Sequence, residues 1–174
     1  MMKNLVRSLL CLCLLLPACQ PKENGAAADV TAKVTTLILV RHAEKADDGT
    51  SDPGLTAAGQ VRAGKLAAML APAGVDAVFS TPYQRTRATA APLAEQTKLE
   101  IQEYDPKDPD FASRLLADHA GETLLIVGHS NTIPGLVNTL TGTSAFNNLD
   151  DMEYDKLFIV HVRAGKGDAV VLSF

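Results

Sequence analysis

The 174-residue chain has no tryptophan, and only 5% of it is aromatic. All three cysteines, Cys11, Cys13 and Cys19, fall near the amino end, so the rest of the chain has no thiol for a disulfide or a thiolate metal cluster. Basic residues are also scarce. The 16 Lys and Arg against 20 Asp and Glu leave a net charge of −4. That balance argues against nucleic acid as a general partner. A cationic pocket would have to be local, because the overall charge does not attract anions. The four histidines show no spacing suited to a metal site. The apolar run Leu9–Leu16 is too short to span a bilayer comfortably as a permanent helix.

What the amino end does contain reads as an export signal. Lys3 and Arg7 give a basic start, and the apolar run comes next. Leu16-Pro17-Ala18-Cys19 resembles the bacterial lipobox, which implies cleavage before Cys19 and lipidation of that residue. The alternative is an ordinary secretory signal with a chance cysteine. Residues 20–33 (QPKENGAAADVTAK) are small, polar and without period, and read as a flexible tether. A random coil of about 14 residues reaches on the order of 20 Å. The expected division is a signal peptide over 1–18, a lipid-anchored tether over 19–33 and one domain over 34–174. Gln20 after the lipid cysteine resembles the bacterial sorting pattern for the outer membrane. The expectation is thus a periplasmic lipoprotein anchored in that membrane.

Beyond the tether, short apolar runs alternate with helical patterns. Strands are expected at Thr36–Val40, Val75–Phe79, Leu99–Glu103, Thr123–Val127, Lys156–Val162 and Ala169–Phe174. Helices are expected at Thr56–Leu70, from Thr81 as N-cap with Pro82 at the first helical position to about Gln96, from Asp108-Pro109 to about His119, and from Asn131 or Thr132 to about Leu140. Gly142 to Asp155 reads as a polar, acidic loop. This order implies an α/β fold: a three-layer sandwich whose largely parallel sheet of about six strands carries helices on both faces.

Three strands end in chemistry. The run Thr36–Val40 stops at Arg41-His42, the strand to Phe79 leads to Arg85, and the strand to Val127 leads through Gly128 to His129. In open α/β sheets, ligands bind beyond the carboxyl ends of the strands. Arginine offers planar paired donors to phosphate oxygens. An imidazole can attack phosphorus when one nitrogen is unprotonated and the other is held by a hydrogen bond. Two arginines and two histidines at one sheet edge therefore describe a phosphoryl pocket. Arg87, two residues past Arg85, faces elsewhere and reads as solvated. His119 and His161 read as structural or surface residues.

Four segments, in order, carry a resemblance to a known family: Val40-Arg41-His42-Ala43-Glu44-Lys45, Leu55-Thr56-Ala57-Ala58-Gly59, Ser80 through Thr89, and Gly128-His129-Ser130. Together they resemble the histidine phosphatase superfamily, in its phosphoglycerate mutase-like branch. The resemblance implies that His42 is the phosphorylated nucleophile, that Arg41, Arg85 and His129 hold the phosphoryl oxygens, and that neither metal nor other cofactor is needed. It also implies a small phosphorylated substrate or a phosphoprotein as partner.

A proton donor for the leaving oxygen is expected as well. The mutase-like branch usually places a glutamate after the third strand. Here Asp105 is the first candidate and Glu103 the second. The chain lacks the family's common Trp-Glu-Gly segment, and Ser130 stands where the other branch has an aspartate after the second histidine. If neither candidate serves, substrates with good leaving groups, including phosphohistidine, are favoured. The short acidic loop Glu44–Pro53 favours an open site and hydrolysis by water over a mutase. Hydrolysis of phosphate monoesters or phosphoramidates is the expected activity. Alternatives are a phosphate- or phosphoprotein-binding lipoprotein without turnover, a phosphomutase, and a serine hydrolase built on Ser130, which leaves Arg41, His42 and Arg85 unexplained.

Overall fold

The computed structural model describes residues 32–174. The expected signal peptide, the lipobox with Cys19 and the tether up to residue 31 lie outside the described residues. From Val34 onward the chain forms the expected α/β sandwich. Six strands, β1 (Val34–Arg41), β2 (Ala77–Ser80), β3 (Ile101–Glu103), β4 (Thr123–Gly128), β5 (Lys156–Arg163) and β6 (Lys166–Ser173), form one sheet in the order β3-β2-β4-β1-β5-β6. The first four strands in that order run parallel, while β5 is antiparallel to β1 and β6 antiparallel to β5. The β5–β6 hairpin turns at Ala164 and Gly165, both with positive φ (49° and 75°), as a tight two-residue connection between twisted strands requires.

The central strands are apolar on both faces because helices cover both. Leu37 and Leu39 of β1 join one cluster with Phe79, Phe111, Leu115, Ile126, Ile133 and Phe158. Ile38 and Val40 join the other, with Leu66, Leu93, Leu125 and Val127. Helices α1 (Ala57–Leu70) and α2 (Gln84–Thr97) belong to the second cluster's face, and α3 (Phe111–Asp118) and α4 (Thr132–Thr141) to the first.

Helix α1 starts as its sequence suggests, with the Thr56 hydroxyl accepting the Gly59 amide at 3.0 Å. Helix α2 does not. Its N-cap is Tyr83 rather than Thr81, and Pro82 lies in the preceding turn. The Thr81 hydroxyl is occupied elsewhere, bonded to Thr86 Oγ1 at 3.0 Å and to His129 Nε2 at 2.9 Å. Arg85 consequently sits at the second residue of α2 instead of one turn inside it.

Candidate active site

The parallel order brings the chemistry to one edge. Arg41, the last residue of β1, is in register with Gly128, the last of β4, and the His42 amide donates to the Gly128 carbonyl at 2.9 Å. Strand β2 lies on the other side of β4, so the segment leading to Arg85 leaves the same edge. Arg41, His42, Arg85 and His129 line one cavity of about 800 Å³. The imidazoles of His42 and His129 meet edge to face, with centroids 5.5 Å apart.

His42 is buried, and its Nδ1 is 2.7 Å from the Ala43 carbonyl. A carbonyl only accepts, so Nδ1 carries the proton and Nε2 keeps its lone pair. Burial pushes the His42 pKa down to about 4, helped by the positive charge of Arg41 and the neighbouring His129 and Arg85 and opposed by the Ala43 hydrogen bond. The ring is neutral at physiological pH, the form in which an imidazole is able to act as a nucleophile. Burial, with Arg85 and Arg41 nearby, also lowers His129 to about 4.

The tautomer of His129 is set by its neighbours. The Thr86 hydroxyl gives its hydrogen to a backbone carbonyl, that of Thr81 at 2.8 Å or Tyr83 at 2.9 Å. It therefore accepts from Thr81, and Thr81 accepts from His129 Nε2–H. Nδ1 of His129 is left to meet a ligand.

Both arginines are held by their Nη groups and aromatic faces. Arg41 Nη1 donates to the carbonyls of Asp150 (2.7 Å) and Glu153 (3.2 Å), and its guanidinium carbon lies 4.2 Å from the centre of the Tyr154 ring. Arg85 Nη1 approaches Asp52 at 3.5 Å, and its guanidinium lies 4.5 Å from the Tyr83 ring. In both, Nε is buried and has no hydrogen-bond partner among the described residues. Buried donors without acceptors are costly. A phosphoryl oxygen is the acceptor their chemistry fits.

The segments around His42 are pinned by residues to which the sequence alone assigned no role. Thr89 Oγ1 accepts the Ala43 amide at 2.9 Å and donates to the Arg85 carbonyl at 2.7 Å. Gly59 packs so closely that a Cβ there would stand 2.4 Å from the Glu44 carbonyl oxygen. This accounts for the Leu55–Gly59 motif, which props the turn after His42. Arg62 holds the Glu44 carboxylate at 2.8–3.1 Å. Gly128 leaves room for Tyr104, whose hydroxyl would lie 2.8 Å from a Cβ at that position.

The two candidate acids are not brought in. Tyr104, Pro106 and Lys107 line the cavity, whereas Asp105 is exposed and accepts the Lys107 amide at 2.9 Å. Glu103 pairs with Arg87 at 2.7 Å on the surface. Asp108 and Asp151 do line the cavity. Asp108 is bound to Arg114 and to the Asp110 amide, and those contacts hold its pKa below the usual range, which disfavours the protonated form. Ser130 also lines the cavity. His119 pairs with Glu122 at 2.7 Å away from the site, and His161 is exposed on β5. Among the described residues, no three His, Cys, Asp or Glu side chains are grouped to hold a metal ion.

Comparison with known proteins agrees with this geometry. Residues 37–106 match the family described as the histidine phosphatase superfamily, branch 1. Phosphoserine phosphatase 1 of Hydrogenobacter thermophilus is 39% identical over 75 residues, which is 40% of this chain and only 36% of that protein's length. The structure of the protein histidine phosphatase SixA with tungstate superposes with a TM-score of 0.66, at 18% identity, over 79% of this chain and 96% of that one. Phosphoserine phosphatase of Entamoeba histolytica, solved with 3-phosphoglyceric acid, gives 0.63 at 18% identity over 80% and 98%. Residues 37–106 thus resemble the histidine phosphatase superfamily, and the chain shares the fold of the solved structures named here.

Proposed function

We propose that this chain is a hydrolase that cleaves phosphate monoesters or phosphoramidates through a phosphohistidine at His42, without a metal. The observation that carries this is that two buried guanidinium Nε–H groups, unpartnered among the described residues, stand with a neutral imidazole whose Nδ1 proton is already fixed. Arg41 and Arg85 bind the phosphoryl oxygens and offset the charge that builds in the transition state. His129 completes the cradle. With Nε2–H on Thr81, its Nδ1 takes a proton from the bound phosphoryl group or from solvent and donates it back as an N–H···O bond. Nε2 of His42 attacks phosphorus in line, and the bond from phosphorus to the leaving oxygen or nitrogen breaks. Water then attacks the phosphohistidine, which releases phosphate and restores the imidazole.

The positions of Asp105 and Glu103 bear on the substrate. An alkoxide needs a proton from the protein, whereas an imidazole or aryl oxide leaves more readily. With Asp105 and Glu103 turned away, and Asp108 and the exposed Asp151 the carboxyls on the cavity lining, phosphoramidates and activated esters, which need no donor, are expected to be cleaved most readily. SixA, by its name, is a protein histidine phosphatase, and phosphohistidine is the first substrate to test. The same observation favours a second reading, a phosphate-binding protein without turnover. Export and lipid anchoring at Cys19, with outer-membrane placement, remain part of the proposal and rest on the sequence of the first 20 residues.

A phosphate-release screen tests the reading. It compares a phosphohistidine peptide, p-nitrophenyl phosphate, phosphoserine and sugar phosphates on wild type and His42→Ala in parallel. Release by wild type alone, strongest for phosphohistidine and the aryl ester, is expected. Phosphate binding with no release from any substrate supports the binding protein instead.

A further inference from the structure

Helix α2 carries Arg85, yet it begins without a cap of its own, because Tyr83 offers no side-chain hydrogen bond. The Gln84 amide is taken instead by Asp52, which lies 32 residues earlier, at 3.0 and 3.2 Å to its two carboxylate oxygens. The same carboxylate stands 3.5 Å from Arg85 Nη1. Asp52 is not among the residues that line the cavity. It meets the guanidinium without facing the ligand.

The loop that delivers Asp52 is anchored to the nucleophile. Its stem closes through the Lys45–Leu55 bridge, the Ala46 amide on the Gly54 carbonyl (2.8 Å) and the Thr56 amide on the Glu44 carbonyl (2.9 Å). That stem starts two residues after His42, and Pro53 beside Asp52 is buried. One short loop thus spans from the end of β1 to the start of α2.

We propose that Asp52 is a positioning residue for Arg85. It caps α2 from outside the helix and, with the Tyr83 ring opposite, fixes the guanidinium relative to His42. A capping carboxylate also complements the positive end of the helix dipole. This inference rests on the cavity being a phosphate site.

Calorimetric titration with inorganic phosphate tests it, on wild type, Asp52→Ala, Asp52→Asn, Arg85→Ala and the Asp52→Ala/Arg85→Ala double variant. Loss of a cap that also orients a ligand group is expected to weaken phosphate binding in Asp52→Ala on the order of tenfold. Asp52→Asn keeps an acceptor for the Gln84 amide and is expected to recover binding to within about threefold of wild type. In the Arg85→Ala background, Asp52→Ala is expected to add less than about twofold, since it acts through the missing side chain. Wild-type affinity in Asp52→Ala, or a full tenfold loss that persists without Arg85, overturns the inference. If Asp52→Ala does not fold, Asp52→Asn decides: a loss as large as tenfold contradicts the capping role. Wild-type protein that binds no phosphate removes the reading of the cavity, a failure distinct from these.

Discussion

The Thr89 hydroxyl accepts the amide hydrogen of Ala43 at 2.9 Å, which joins the second turn of α2 to the residue after His42. Both groups are buried. Thr89→Val keeps the shape and strands the Ala43 amide. An unsatisfied buried donor costs about 1–3 kcal/mol. Because the Ala43 carbonyl orients His42 Nδ1–H, the turnover rate should fall along with stability. Denaturant melts and steady-state kinetics on one preparation check both effects. Thr89→Ser, which retains the hydroxyl, should restore most of the rate.

Gly59→Ala probes the prop beneath the same turn. The added methyl would meet the Glu44 carbonyl oxygen at 2.4 Å, and neither backbone segment can yield without moving residues 43–45. Overpacking of this kind costs about 1–3 kcal/mol. A lowered denaturation midpoint with an unchanged m-value is the expected result. Gly64→Ala, on the same helix with nothing within 4 Å of its Cβ, serves as the control and should not destabilise.

The two imidazoles make stability depend on pH. His42 and His129 both titrate near 4 in the folded chain, below the ordinary 6.5. Between those values the unfolded chain binds more protons than the folded one, so stability rises with pH across this window. It is fully present above about 6.5 and is lost as pH falls through about 4, at up to about 1.4 kcal/mol per pH unit for each histidine. Urea melts from pH 7.5 to 4 measure the slope. His42→Asn should flatten it, and phosphate, by favouring protonated His129, should raise that folded-state pKa and reduce the loss between pH 6.5 and 4.

Arg85→Lys tests whether the guanidinium shape matters. Lysine keeps a positive charge but gives up the planar paired donors and the stacking over Tyr83. The expected outcome is weaker phosphate competition and a lower kcat/KM, each by about tenfold or more. Activity equal to wild type would show that charge alone suffices there.

Much of the site was legible because its residues stand directly at strand ends. Apolar runs marked β1, β2 and β4, and Arg41, His42 and His129 come right after them with no intervening loop to place. With Thr81 as N-cap, Arg85 would stand one turn into α2, whereas it is the second residue of that helix. The Thr81 hydroxyl looked like a cap, yet its partners are Thr86 and, 48 residues away, His129. No local pattern reports such a bond. Strand direction was equally hidden: Lys156–Val162 reads the same whether parallel or, as found, antiparallel to β1. Asp105 lies beyond β3, where the sequence suggests an acid, but the turn that puts Lys107 into the cavity directs Asp105 to the Lys107 amide. Asp52 reads as one more acidic loop residue, because nothing local in the sequence reports that its carboxylate reaches the Gln84 amide.

The most direct test is acid- and base-resolved trapping of the phosphoenzyme: rapid quench of the wild-type reaction under alkaline conditions, then mass mapping of the modified peptide. A base-stable, acid-labile phosphoryl group on His42, absent from His42→Ala together with turnover, is the expected result. Turnover that survives in His42→Ala, or a phosphoryl group trapped on another residue, would contradict it.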